Sequence, residues 1–233
     1  MVNSELMELS HVELAAMIDH TSLRPECTMK EVEKLCREAI LLGCAAVCVN
    51  PIYVPAVAHQ LEGSKIKTCC VVGFPLGANT TAQKVREARE AIHMGASEID
   101  MVMWVGGLKS GHLEWVGEDI AEVARACREN RAILKVILEC CLLTDDEKQQ
   151  ACDLCVQAKA NFIKTSTGFG ATGATVEDVR LISRIAAPAG LGVKAAGGIR
   201  SYADALRMIH AGATRIGATS TVRIIEEAKA AGS

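Results

Sequence analysis

From residue 161 to residue 220 the chain reads NFIKTSTGFGATGATVEDVRLISRIAAPAGLGVKAAGGIRSYADALRMIHAGATRIGATS, and this stretch decides the fold. Three short apolar runs, 161–164, 192–195 and 214–217, alternate with two longer amphipathic stretches, 176–187 and 201–211. Short runs joined by helical stretches are βαβ units, which lay their strands side by side in a parallel sheet. Working outward, the same alternation fills the rest of the chain. Further strands are expected at 17–20, 46–50, 67–72, 98–104 and 132–139, and further helices at 28–42, 51–61, 80–94, 113–130, 144–159 and 221–231. Thr80 and Thr144 suit helix N-caps, and Gly43, Gly95 and Gly212 suit helix ends.

Eight strands alternating with eight helices in 233 residues predict an α/β protein of the (β/α)8 TIM-barrel type. A weaker apolar segment, 12–16, is expected to form a short N-terminal helix closing the bottom of the barrel. The alternative, an open doubly wound sheet, lacks a GxGxxG after the first strand. No linker or composition shift divides the chain, so residues 1–233 are read as one domain.

Composition agrees. Half of the residues are hydrophobic but only 3% are aromatic, so the core is aliphatic. That poverty in aromatics disfavours an antiparallel sandwich and fits parallel strands covered by helices. A net charge of −3 gives no basic footprint for nucleic acid. No apolar run is long enough to span a bilayer, and MVNSELMELS lacks the basic and apolar regions of a signal peptide, so a cytoplasmic, membrane-free protein is expected.

The eleven cysteines are odd in number and irregular in spacing. Pairs such as Cys69-Cys70 and Cys140-Cys141 lie in apolar runs, where a thiol packs as a small hydrophobe. The lone CxxC, Cys152 to Cys155, has no second pair at zinc-finger spacing. Buried, reduced thiols are the expectation. The six histidines form no HxH or HExxH pattern, so neither a metal nor any other cofactor is expected. His20, beside Asp19 in the first strand, is read as making a structural hydrogen bond.

In a (β/α)8 barrel, chemistry sits where strands end and loops begin. The polar residues embedded in apolar strands are therefore the candidates: Asp19, Asn50, Asp100, Lys135, Glu139, Lys164 and Lys194. Lys164 and Lys194 close neighbouring strands, which brings two ammonium groups into one barrel mouth. Their mutual repulsion and burial should lower at least one pKa, giving an amine that attacks carbonyls to form a Schiff base. Position alone weights equally a structural reading, in which each lysine pairs with Asp100 or Glu139. In either case Asp100 could accept or relay a proton.

A second set of residues concerns phosphate. The stretch 196–200, with Gly197 and Gly198, follows the seventh strand, and Gly217-Ala218-Thr219-Ser220 follows the eighth and enters the last helix. Glycines permit close backbone approach and helix N-termini present free N–H groups, and barrels often hold phosphate at these two loops. The three glycines between Gly168 and Gly173 read either as a closing loop or as a flexible connection. Lys109 and His112 read as a solvated loop.

These segments resemble a known family. Ile18-Asp19-His20-Thr21, Val47-Cys48-Val49-Asn50-Pro51, Val72-Gly73-Phe74-Pro75-Leu76-Gly77, Glu98-Ile99-Asp100-Met101-Val102, the KTSTGF at 164–169 and the VKAAGGIR at 193–200 are similar to deoxyribose-phosphate aldolase in order from about 18 to 222. The resemblance implies a class I aldolase on a (β/α)8 barrel. It would cleave 2-deoxy-D-ribose 5-phosphate to acetaldehyde and D-glyceraldehyde 3-phosphate, and run the reverse addition. Lys164 matches the Schiff-base lysine, Lys194 the second lysine that lowers its pKa and relays protons, and Asp100 the acidic partner. Gly197, Gly198, Thr219 and Ser220 fall where the family binds phosphate, with Gly217 and Thr165 counted among the substrate contacts. The implied partners are small sugar phosphates and aldehydes, and a homo-oligomer, dimer or tetramer.

The chain also departs from the family pattern. Trp104 stands where an Asn is usual, and a regular strand through 98–104 would point it inward beside Asp100, reshaping the pocket for poorer turnover of the natural sugar phosphate or better acceptance of less polar aldehydes; the alternative is a bulge that turns it outward. Arg24 replaces a common Lys, Cys140 a common Thr, and Arg223 follows the phosphate loop. The chain ends in Ala-Ala-Gly-Ser without the tyrosine some relatives use, so proton return would rest on Asp100, Lys194 and water. Two other readings stay open. A phosphate-binding isomerase or epimerase would need a carboxylate base or metal in place of facing lysines, and a non-catalytic sugar-phosphate binder would keep only the loops.

Overall fold

The computed structural model describes residues 9–232. Eight parallel strands close into a barrel in chain order, β8 pairing back to β1. They are β1 (Ile18–Ser22), β2 (Ala46–Val49), β3 (Lys67–Val72), β4 (Glu98–Val102), β5 (Ile133–Ile137), β6 (Phe162–Lys164), β7 (Gly192–Ala196) and β8 (Arg215–Ala218). The helices are α1 (His11–Ala15), α2 (Met29–Leu42), α3 (Val54–Gln60), α4 (Thr81–His93), α5 (Val105–Lys109), α6 (Leu113–Glu129), α7 (Asp145–Gln157), α8 (Val176–Ala186), α9 (Tyr202–His210) and α10 (Thr221–Ala230). The (β/α)8 expectation is met, and α1 leads into β1 with Leu14 and Ala15 buried. Among the described residues no helix is long and apolar enough to cross a membrane.

Local chemistry sets the boundaries. Thr80 and Thr144 close capping boxes with Gln83 and Glu147, which satisfy backbone donors at the helix starts. Gly43 ends α2 in the left-handed region, φ 74°, where a side chain is disfavoured. The outer faces of the strands meet the helices through aliphatic and thiol groups, and ten of the eleven free cysteines are buried.

Three boundaries differ from expectation. The fourth strand stops at Val102, and Trp104 becomes the residue preceding the short helix α5. The indole therefore lies outside the barrel interior: it stacks on His112 and fills the space left by Gly107, whose Cβ would fall 2.3 Å from the ring. The expected 51–61 helix begins as a 3-10 turn over Pro51–Tyr53 before α3. The fifth strand ends at Ile137, because Glu139 turns left-handed at φ 57° and directs its carboxylate to Thr167.

Candidate active site

Strand alternation sends every second residue into the barrel, and in six of the eight strands that row carries a charged side chain. Inward residues include Asp19 (β1), Glu98 and Asp100 (β4), Lys135 (β5), Lys164 (β6), Lys194 (β7), and Arg215 and Gly217 (β8). On β2 and β3 the interior is instead Ala46, Cys48, Cys69 and Val71. Gly217 is small for a reason: a Cβ there would lie 3.1 Å from Lys194 Cε.

The charges form one buried network. Lys194 Nζ donates to Asp19 Oδ2 at 2.5 Å and to Asp100 Oδ2 at 2.7 Å. Lys164 Nζ donates to the same Asp100 Oδ2 at 2.9 Å. Lys135 Nζ reaches Asp100 Oδ1 at 2.7 Å and Glu98 Oε2 at 2.6 Å. Arg215 Nη1 donates to Asp19 Oδ1 at 2.7 Å, with its guanidinium over the Phe162 ring. Buried charges survive only with such compensation, since desolvating each ion costs several kcal/mol.

Burial pushes the Asp100 carboxyl up, but Lys135, Lys164 and Lys194 together outweigh it and hold the group well below the usual carboxylate range. Asp19 is likewise lowered: Lys194, Lys135 and Arg215 overcome its burial. For Lys194, burial favours the neutral amine, yet Asp100 and Asp19 prevail and hold it above the ordinary ammonium range. Repulsion from Lys135 works the other way and is outweighed. Its two carboxylate partners keep it charged.

Above the network opens a cavity of about 310 Å³. Of the three lysines, Lys164 lines it, joined by Gly197, Gly198, Gly217 and Thr219, and by Thr21, Arg24, Thr167, Phe169 and Arg200. Gly197 and Gly198 adopt φ 86° and 78°, a region that favours glycine. The glycine-rich 168–173 loop is anchored at both ends. Thr167 donates to Glu139 through its amide, at 3.2 Å, and through its hydroxyl, and Ala174 N donates to Ala196 O and Gly197 O at 3.1 Å. Phe169 meets Phe74 edge-on across the mouth, with centroids 5.4 Å apart.

Two expected substrate contacts are placed elsewhere. Thr165 is fully buried and stitches β6 to β7: its hydroxyl donates to Ala196 O at 3.3 Å and accepts from Ala196 N at 3.2 Å. Ser220 lies one residue beyond the cavity wall as the N-cap of α10. Trp104, expected to shape this pocket, is also absent from its wall and lines a separate cavity with Trp115, because β4 ends before it. His20 bonds Glu38 at 2.9 Å, a structural contact as expected.

Asp19 and Lys135, charges in apolar strands without an assigned role in the sequence, join the network, as do Glu98 and Arg215, which are not among the sequence candidates. The signal was present for Glu98, which shares a face with Asp100 two residues on. Two buried trios, Cys48/Cys69/Asp100 and Asp19/Cys69/Glu98, have converging ligand atoms. Their carboxylates already carry Lys135, Lys194 or Arg215, so a metal ion would add charge to an occupied cluster.

A family model described as DeoC/LacD family aldolase matches residues 12–227. The deoxyribose-phosphate aldolase of Clostridium kluyveri is 54% identical over 215 residues, covering 92% of this chain and 98% of that protein. The enzyme of the same name from Caldanaerobacter subterraneus subsp. tengcongensis is 51% identical over 226 residues, covering 97% of each. Among solved structures, the tetrameric deoxyribose phosphate aldolase from Aeropyrum pernix is similar with a TM-score of 0.89 and 35% identity, covering 95% of this chain and 93% of that one.

Proposed function

Because the chain belongs to the DeoC/LacD family of aldolases, we propose that Lys164 is the amine that forms an imine with the substrate carbonyl. The protein is a lyase that cleaves 2-deoxy-D-ribose 5-phosphate to acetaldehyde and D-glyceraldehyde 3-phosphate and catalyses the reverse addition. One observation carries the assignment of Lys164: it alone of the three network lysines lines the cavity, while its Nζ touches the oxygen that Lys194 also holds.

The charge count supports this role. With Lys164 as a free amine, Lys135, Lys194 and Arg215 stand against Asp19, Glu98 and Asp100, three cations to three carboxylates. The free amine attacks the aldehyde carbon, and loss of water leaves a protonated imine. A base takes the proton of the C3 hydroxyl, the C2–C3 bond breaks, and its electron pair enters the imine to give a neutral enamine. Glyceraldehyde 3-phosphate leaves; protonation of the enamine at C2 and hydrolysis release acetaldehyde and regenerate Lys164.

Asp100, kept ionised by its neighbours, stabilises the imine cation and passes protons through water and Lys194 rather than storing one. The phosphate is held by the backbone at Gly197 and Gly198 and by the loop of Gly217 and Thr219, with Arg24 and Arg200 on the same wall. The eleven free thiols suit a reducing cytoplasm, and the tetrameric Aeropyrum pernix neighbour favours assembly into a dimer or tetramer. The test is acetaldehyde release from deoxyribose 5-phosphate. The wild type turns over, and Lys164→Ala loses at least about 1,000-fold in kcat, the scale of losing a nucleophile. Turnover retained by Lys164→Ala removes the assignment.

A further inference from the structure

A second cavity, of about 410 Å³, lies on the outer ring between the starts of α4 and α6 and takes no part in the aldol chemistry. Both tryptophans of the chain line it. Trp104 and Trp115 flank His112 in a stack, with centroids 6.2 and 4.7 Å from the imidazole and ring planes within 17° and 24°. The α6 side of the wall carries Glu118 and Asp119.

Asp119 is 3% exposed. Its Oδ2 receives Lys84 Nζ at 2.6 Å, and its Oδ1 has no hydrogen-bond partner among the described residues. A buried carboxylate oxygen without a donor is costly and calls for one. The Lys84–Asp119 pair cancels its own charge, which leaves the exposed Glu118 carboxylate to set the sign of the wall. The positive start of α4 is already engaged, because Thr80 and Gln83 cap each other's backbone amides. An anion would thus meet carboxylate oxygens, whereas a cation would meet the Trp115 face turned away from His112, the rim of Trp104 and acceptors.

We propose that this cavity binds a flat organic cation bearing N–H donors, an amidinium or guanidinium on a planar apolar body. The outward face of Trp115 and the rim of Trp104 take the flat body, Glu118 supplies the charge, and Asp119 Oδ1 accepts the N–H. The volume lies within the range of small-molecule sites.

Intrinsic fluorescence reports on the site directly, since both of the chain's tryptophans form it. Benzamidine and its neutral isostere benzamide are the probes. Benzamidine should change the emission saturably, with benzamide at least about tenfold weaker, the difference of one desolvated cation–π contact and one carboxylate. Glu118→Gln should weaken benzamidine about threefold or more, and Trp115→Leu should abolish the saturable change while sugar-phosphate cleavage continues. Unchanged cleavage at saturating benzamidine separates this site from the barrel mouth. Equal response to both probes, no saturable response, or indifference to Glu118→Gln overturns the proposal. So does emission that shifts with protein concentration alone, which would assign the patch to a second copy of the chain.

Discussion

Lys164 and Lys194, thirty residues apart in the chain, donate to one and the same oxygen, Asp100 Oδ2, at 2.9 and 2.7 Å. They lie opposite each other in the β6–β7 register, so the closed barrel forces the contact. Only Lys164 also lines the cavity. The proposed division of work follows from this: Lys194, held by Asp19 as well, stays on its carboxylates and exchanges protons there, while Lys164, with Asp100 as its one carboxylate partner, takes the substrate.

The network sets the pH range of the fold. Asp100 and Asp19 are held below the usual carboxylate range, so their stabilisation is fully present above the unfolded value of about 3.9 and fades as pH falls through the folded values. Lys135 and Lys194 are held above the ordinary ammonium range, so theirs is present below about 10.4 and fades as pH rises further. Urea titrations across pH should show a plateau between these limits. Asp100→Asn should lower that plateau by about 3–5 kcal/mol and flatten its acid edge, as removal of one partner from a buried charge cluster does. An unchanged acid edge would count against the network.

Trp104 belongs to the outer ring and not to the reacting pocket. Trp104→Asn should leave kcat/KM for deoxyribose 5-phosphate within about twofold, since differences smaller than about 0.4 kcal/mol fall in that range. The same change should cost about 1–3 kcal/mol of stability, because Gly107 and His112 lose the ring they pack against. A tenfold change in turnover without loss of stability would return the indole to the active site.

Gly173 fits against the loop of Gly197 and Gly198, the proposed phosphate site, without room for a methyl group: a Cβ would lie 2.1 Å from Gly197 O. Gly173→Ala should displace that loop and raise KM for the sugar phosphate at least about fivefold, the effect of roughly 1 kcal/mol of overpacking. Non-phosphorylated deoxyribose should suffer less. Equal losses on both substrates would mean that the loop does not serve the phosphate.

The thiols should be quiet in the native state. Cys141 alone among them is partly exposed, and burial pushes Cys36 up to about 11 and Cys44, Cys127 and Cys152 up to about 12. An aromatic disulfide reagent should label one cysteine rapidly and all eleven after denaturation. Several rapid labels on the folded protein would contradict this packing.

Alternation of short and long apolar segments made the barrel legible in the sequence, because each segment's period is local. The end of β4 was not, since Trp104 favours a strand by itself and Val-Gly-Gly-Leu-Lys is a poor helix by propensity. Helix α5 packs there because Gly107 admits the indole. Lys164, Lys194 and Asp100 could be picked out as charges closing or interrupting apolar runs. The roles of Asp19 and Arg215 could not: they meet only because β8 pairs with β1, a contact across nearly the whole chain. Thr165, read as a substrate contact, sits where a hydroxyl is needed to join two strands.

The central claim is that Lys164 carries the imine, and borohydride reduction in the presence of acetaldehyde tests it most directly. Mass spectrometry of the digested protein should find one ethyl group, on the peptide containing Lys164, with none on Lys135 or Lys194. An ethyl group on either of those lysines, or no adduct on an enzyme that still turns over, would contradict the account.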